Sequence, residues 1–204
     1  MSQIVSIDIE TSSSSLDGVL ISIGLVKYAQ TGDGQFIKLP GEEFYEQVKF
    51  RHGLFIKPEA MLVNKISMEQ LDDKSRLTLD EVDKKLVKWL EPKSIMMGRG
   101  VSYFDNPFIR RDLPKASHKI SRRIFDLTPL FFGASLLTGK SFSKVRGETL
   151  RYAAEMTKKK HPELFRHHAL YDAWSNCFAL DYLLERFNFA DEFVKHIEDK
   201  KTMD

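Results

Sequence analysis

The chain has a single cysteine, Cys177, in 204 residues, so no disulfide can form within it and a reducing, cytoplasmic setting is the expected one. A dominant charge sign is also missing. Thirty-one Lys and Arg offset 29 Asp and Glu to a formal +2, too little to advertise a nucleic-acid partner by itself. No apolar run approaches the length of a membrane span, and no basic flank precedes an apolar core at the N-terminus. No membrane partner and no signal segment are therefore expected. Internal repeats, low-complexity linkers and sharp composition breaks are lacking too. What is present is an ordinary apolar fraction of 42%, enough for one well-packed α/β domain and short for two.

The pattern along the chain predicts strands first, then alternating helices and short strands. Residues Ser12 to Ser15 read as a loop leaving a first strand, and the β-branched run Val19 to Ala29 as a central strand. Thr31-Gly32-Asp33-Gly34 signals a tight turn into a third strand, Glu43 to Phe50, completing a three-stranded antiparallel meander. A helix begins at Thr78, capped and acidic in its first turn, with Val82, Leu86, Trp89 and Leu90 on its apolar face. Ser94 to Gly98 and Arg123 to Leu127 read as short buried strands. Helices are expected near Asn106 to Asp112, Pro129 to Thr138, Glu148 to Thr157 and His168 to Phe187. Together these predict one α/β domain over residues 1–187, a mixed sheet flanked by helices. Residues 188–204 read as a charged C-terminal helix or tail.

The chemistry-bearing residues are acids in unusual places. Asp8 and Glu10, in Ile7-Asp8-Ile9-Glu10-Thr11, lie two apart in a strand and so project from the same face. Like charges there raise each other's pKa unless a cation lies between them. Asp105 follows Gly98-Arg99-Gly100-Val101-Ser102-Tyr103-Phe104, where glycines permit close approach. His167 stands five residues before Asp172 at the start of the last helix. Four acids and one histidine suit metal-assisted phosphodiester cleavage. Mg²⁺ prefers oxygen ligands, and a histidine titrating near neutrality can take a proton from water.

The order Asp8-x-Glu10, Phe104-Asp105, His167-x-x-x-x-Asp172 resembles the DEDDh family of 3′-to-5′ exonucleases, which includes polymerase-proofreading domains, ribonuclease T and oligoribonuclease. The resemblance runs from about residue 3 to 187. It takes in Ile21-Ser22-Ile23-Gly24-Leu25-Val26, similar to the family's second strand, and Pro58 to Ile66, similar to a segment before its first helix. It implies a ribonuclease-H-like fold, with two short parallel strands beside the meander. It also implies two Mg²⁺ ions, replaceable by Mn²⁺, on Asp8, Glu10, Asp105 and Asp172, with His167 as general base. Thr11 and Phe104 would contact the terminal nucleotide. The implied substrate is the 3′ end of single-stranded DNA or RNA, released stepwise as nucleoside 5′-monophosphates. The five-residue spacing selects His167 over His168, although either ring stands at the start of the helix. The family often has asparagine four residues before the middle acid, where this chain has Val101, so secondary contacts do not carry over there. Oligomeric state stays open; ribonuclease T-like relatives pair as homodimers.

Other residues have plainer roles. Asp126 caps the next helix, and Asp112 is the weaker alternative for the middle acid. Trp89, Trp174 and Phe178 belong to the core, and Cys177 is a small buried apolar residue. Basic clusters at Arg110-Arg111, Lys115 to Arg123, Lys140 to Arg151 and Lys158 to Lys160 read as solvated surface or as a rim tracking phosphates. Two other functions compete: a binding module of the same fold without chemistry, and a ribonuclease-H-type endonuclease. The complete set of five site residues disfavours the first. The Asp-x-Glu pair on one strand disfavours the second.

Overall fold

A computed structural model of the chain describes residues 2–32, 35–50 and 56–187. Strand β1 (Ser2–Thr11) lies at the centre of a mixed sheet. It pairs antiparallel with β2 (Leu20–Gly32) and parallel with β5 (Ser94–Gly98), which in turn pairs parallel with β6 (Ile120–Asp126). The order across the sheet is β3-β2-β1-β5-β6, with β3 being Gln35–Lys38. This is the ribonuclease-H-like arrangement implied by the resemblance.

Period-2 alternation sorts the residues of β1 between two layers. Val5, Ile7 and Ile9 face a core shared with helix α3 (Leu79–Trp89) and helix α4 (Asp105–Asp112). Ile4 faces the opposite core, shared with the long helix α8 (Ala169–Arg186). On that same face Ser6 donates to Ala173 O at 2.6 Å, so Asp8 and Glu10, further along it, are aimed under the start of α8. Helices α6 (Thr128–Thr138) and α7 (Phe142–Lys160) back α8, with Phe131, Ala134, Val145 and Leu183 between them.

The expected third strand, Glu43 to Phe50, is present but ends at Gln47, and an unexpected strand, β3, precedes it. Its place beside β2 is shared by β3 and by β4 (Glu43–Gln47), which pair with Ala29–Gly32 and Ser22–Val26 respectively. Pro40 and Gly41 separate the two: proline offers no donor, and Gly41 sits at φ +85°, a conformation unsuited to a strand. Asp33 and Gly34 of the expected turn lie outside the described residues, as do 188–204.

Two short helices were not expected, α1 (Pro58–Asn64) and α2 (Met68–Leu71), within and just after the segment placed before the first helix. Pro58 pre-sets φ at the start of α1, and a reciprocal Ser67–Gln70 capping box starts α2. Periodicity missed α1 because Leu62 and Val63 on it are exposed rather than packed. A third, α5 (Pro114–Ser117), starts where buried Asp83 accepts the backbone N–H groups of Lys115 and Ala116. Helix α7 begins six residues before the expected Glu148: Ser141 caps it, and burial of Val145 overrides the low helix propensity of Gly147. Trp174 and Cys177 are buried as expected.

Candidate active site

Across the sheet, Asp8 pairs with Gly24 and Gly24 with Tyr45, while Glu10 pairs with Ser22 and Ser22 with Gln47. These rows lie directly beneath the start of α8. A Cβ on Gly24 would stand 2.3 Å from Leu170 N and 2.4 Å from the Ala169 carbonyl carbon. The missing side chain at Gly24 therefore lets the first turn of α8 rest on the strand. That close approach carries the residues flanking the turn onto the acids of β1.

Two histidines precede α8 and their surroundings differ. His167 adopts a left-handed backbone with φ +65°, and its N–H donates to Asp172 Oδ2 at 2.8 Å. Ligand atoms of Glu10, His167 and Asp172 all lie within 4.8 Å of one another. The ring of His168 instead stacks on Tyr45, with centroids 4.3 Å apart, and packs edge-on against Phe165. Burial there depresses its basicity. The fold thus turns one ring into the acidic cluster and packs the other away from it.

Asp105, only 5% exposed at the first position of α4, accepts the backbone N–H of Ile9 at 3.1 Å. Asp126 ties down the loop before it, accepting from Gly100 N at 3.1 Å and from the Ser102 hydroxyl at 2.9 Å. It also accepts from Thr128 N at 2.9 Å, the expected helix-capping role. Asp112 is likewise structural, bound by Arg111 and by Leu20 N. Arg99, within the tied loop, bridges to Asp172 Oδ1 through Nη2 at 3.1 Å and to Asn176 Oδ1 through Nε at 2.7 Å. Asn176 in turn donates to Ile7 O at 3.2 Å.

Electrostatics unite the acids. Burial, then Asp172 and Asp105, push Glu10 up to about 8. Burial pushes Asp105 up to about 7, against hydrogen bonds from its own backbone and Ile9. Burial and the other three acids hold Asp8 well above the usual carboxylate range. Side chains that resist ionisation in this way are matched to a cation that would relieve them. Their donor set, carboxylate oxygens plus an imidazole, fits Mg²⁺ or Mn²⁺. Each of these acids holds its proton more tightly folded than unfolded, so the native state binds more protons between the ordinary range near 4 and about 8. Stability from these groups is thus present at low pH and lost as pH rises through that window. The thermal midpoint of the metal-free protein is expected to fall by roughly 5 °C or more between pH 5 and pH 8, and added Mg²⁺ to restore it chiefly at the upper end. A midpoint independent of pH in chelator would contradict the clustered acids.

A cleft of about 280 Å³ opens beside Glu10, lined among others by Thr11, Lys57, Val63, Asn64 and Phe104. Both expected substrate-facing residues, Thr11 and Phe104, are in its wall. The Thr11 hydroxyl is occupied internally, donating to Ser13 O at 2.6 Å, and Asn64 donates to the Thr11 carbonyl at 3.2 Å. Several basic residues read as a candidate rim are engaged elsewhere: Arg111 with Asp112 and the carbonyls of Leu16 and Gly18, Lys115 with Asp80, Lys140 with Glu148.

Reading the sequence missed Arg99, Asn176, Gly24, Asn64 and Lys57. Two signals were available. Asn176 is four residues after Asp172 and so shares its helix face, and an isolated glycine in a strand marks a close backbone approach.

Comparison with known proteins bears on the fold and the family. Residues 5–177 match a family model described as exonuclease, the ribonuclease T type. Among solved structures, the fold resembles the zinc-bound Escherichia coli exonuclease I–single-stranded DNA complex: TM-score 0.65, 16% identity, covering 100% of this chain and 45% of that one. E. coli exonuclease I in complex with a 5cy-dT13 oligonucleotide gives TM-score 0.66, 15% identity and the same coverage. A moderately thermophilic exonuclease I from Methylocaldum szegediense gives TM-score 0.66 and 16% identity over 92% of this chain and 41% of that one. The chain spans less than half the length of these structures, and at such identities the likeness is one of fold. A search of curated proteins gave no match. With the matched span covering most of its length, the chain belongs to the exonuclease family.

Proposed function

We propose that this chain is a metal-dependent 3′-to-5′ exonuclease acting on single-stranded DNA ends, with Asp8, Glu10, Asp105 and Asp172 as the ligands of two divalent ions. The observation that carries this reading is the convergence of Glu10, His167 and Asp172 within 4.8 Å, beside a cleft walled by Glu10, Thr11 and Phe104. Single-stranded DNA is favoured because the exonuclease I structures of the same fold hold it. Bound Mg²⁺ or Mn²⁺ would polarise the scissile phosphate and stabilise the departing oxygen.

The chain's own residues do the rest. The terminal nucleotide lies in the cleft against Thr11 and Phe104, with Lys57 at its rim. The His167 ring takes a proton from the attacking water as the new P–O bond forms. The bond from phosphorus to O3′ of the preceding nucleotide breaks, that oxygen takes a proton from solvent, His167 returns its own proton to solvent, and a nucleoside 5′-monophosphate leaves. Asp172 positions His167 by accepting its backbone N–H.

Digestion of 5′-labelled and 3′-labelled DNA and RNA oligomers with Mg²⁺ or Mn²⁺ tests the proposal. Expected are a ladder shortening from the 3′ end of DNA, labelled mononucleotide from 3′-labelled substrate, and no attack on circular single strands. Cleavage of circles would instead indicate an endonuclease, and faster loss of RNA would reverse the substrate preference. His167→Ala is expected to lower the rate at least about a hundredfold, and His168→Ala less than about tenfold. The reverse ranking would assign the base to His168.

A further inference from the structure

Arg99 is a cation already lodged in the acidic cluster. Its side chain is only 26% exposed and that of its partner Asp172 only 12%, so the pair is not a solvated surface contact. Both carboxylate oxygens of Asp172 are already bonded, Oδ1 to Arg99 and Oδ2 to the His167 N–H. A divalent ion approaching Asp172 therefore meets a positive group bonded to one of its intended ligand atoms. The two ends of the guanidinium are held unequally. Nε is fixed by Asn176, itself anchored to Ile7 O of β1, whereas Nη2 is held, among the described residues, by Asp172.

We propose that Arg99 is a resident counter-cation that holds Asp172 while the acids lack a divalent ion, and that it yields its Nη2 contact when one binds, pivoting on the Nε–Asn176 bond. The inference rests on the metal-dependent reading given above. Arg99 then acts as a positioning residue with two opposed effects. It keeps Asp172 and α8 in register with β1 before metal arrives, and it weakens metal binding by the work of displacing it. The loop that carries it is tied by Asp126, so the guanidinium can rotate without carrying Asp105 away.

Manganese binding without nucleic acid, followed by Mn²⁺ electron paramagnetic resonance or calorimetry, tests this. Arg99→Met keeps the apolar stem and removes the charge. It is expected to bind Mn²⁺ about five- to tenfold tighter than wild type, with a lower metal-free thermal midpoint and a larger rise on metal addition. Arg99→Lys, which keeps the charge, is expected to stay within roughly threefold of wild type. Equal or weaker Mn²⁺ binding by Arg99→Met overturns the inference while leaving the metal reading intact. Absence of Mn²⁺ binding in wild type and variants overturns both. Should Arg99→Met not fold, the wild-type protein decides. On Mg²⁺ titration the Arg99 Nη2 proton signals should shift while Nε–H keeps its hydrogen-bonded position, and an unchanged side-chain spectrum overturns the proposal.

Discussion

Replacing Asp172 by asparagine is expected to reduce the turnover of single-stranded oligonucleotides by at least about a thousandfold while leaving the far-ultraviolet spectrum unchanged. Asp172 takes part in three relations at once. It accepts Arg99 Nη2 through Oδ1, accepts the His167 N–H through Oδ2, and lies within 4.8 Å of the Glu10 and His167 ligand atoms. Asparagine keeps the size but turns one acceptor into a donor. Its NH₂ must then face Arg99 or the His167 N–H, both of which are donors. The register of His167 suffers together with the charge. Because Asp172 helps raise both Asp8 and Glu10, neutralising it relieves those acids, so the metal-free variant is not expected to unfold. The effect should lie in the turnover rate and in metal affinity, with the KM for substrate changing only a few fold. Wild-type turnover by the purified variant would remove Asp172 from the chemistry.

Gly24→Ala is expected to be the most damaging single-methyl change in the sheet. The new Cβ would meet the backbone of α8, at 2.3 Å from Leu170 N and 2.6 Å from Ala169 O, where no flexible side chain can give way. The whole first turn of the helix would have to lift. Overpacking of this kind costs about 1–3 kcal/mol and sometimes more, a drop in thermal midpoint of several degrees. The catalytic consequence should exceed the structural one. Lifting α8 moves His167 and Asp172 away from Glu10, and a displacement of about 1 Å lowers rates roughly a hundredfold. Alanine at Ser22, two residues away on the same strand, provides the control, since that change adds no atom to the face. Equal thermal midpoints and rates for Gly24→Ala and wild type would mean that α8 does not rest on this strand as described.

How much of this was legible in the sequence depends on the range of the interaction. Strand β5 was read with its observed bounds, and the start of α3 to within a residue, because each is written locally: an apolar run in one, a reciprocal Thr78–Glu81 cap in the other. Helix α1 was missed because its apolar residues Leu62 and Val63 face solvent, so no periodicity marks a buried face. Strand β3 was missed although Pro40 and Gly41 mark its separation from β4, and the pairing of β3 and β4 with different stretches of β2 is a property of the folded sheet. Within the site, the Asp8–Glu10 pair and the His167–Asp172 spacing could be read along the chain because period-2 and helical geometry are local rules. Arg99 could not, since its partners Asp172 and Asn176 are more than seventy residues away.

The sequence by itself determined that a strand presents two acids on one face, that a third acid opens a helix and that a histidine–acid pair begins another. Local backbone geometry dictates those side-chain directions whatever surrounds them. The spacing already selected His167 over His168, but only the tertiary structure shows how the two are told apart: His167 takes a left-handed turn toward Asp172, while His168 stacks on Tyr45 of β4. The tertiary structure also decided that the acidic cluster contains its own cation. Burial brings Arg99 beside Asp172, and in a low-dielectric setting a charge is retained only where an opposite charge is within reach.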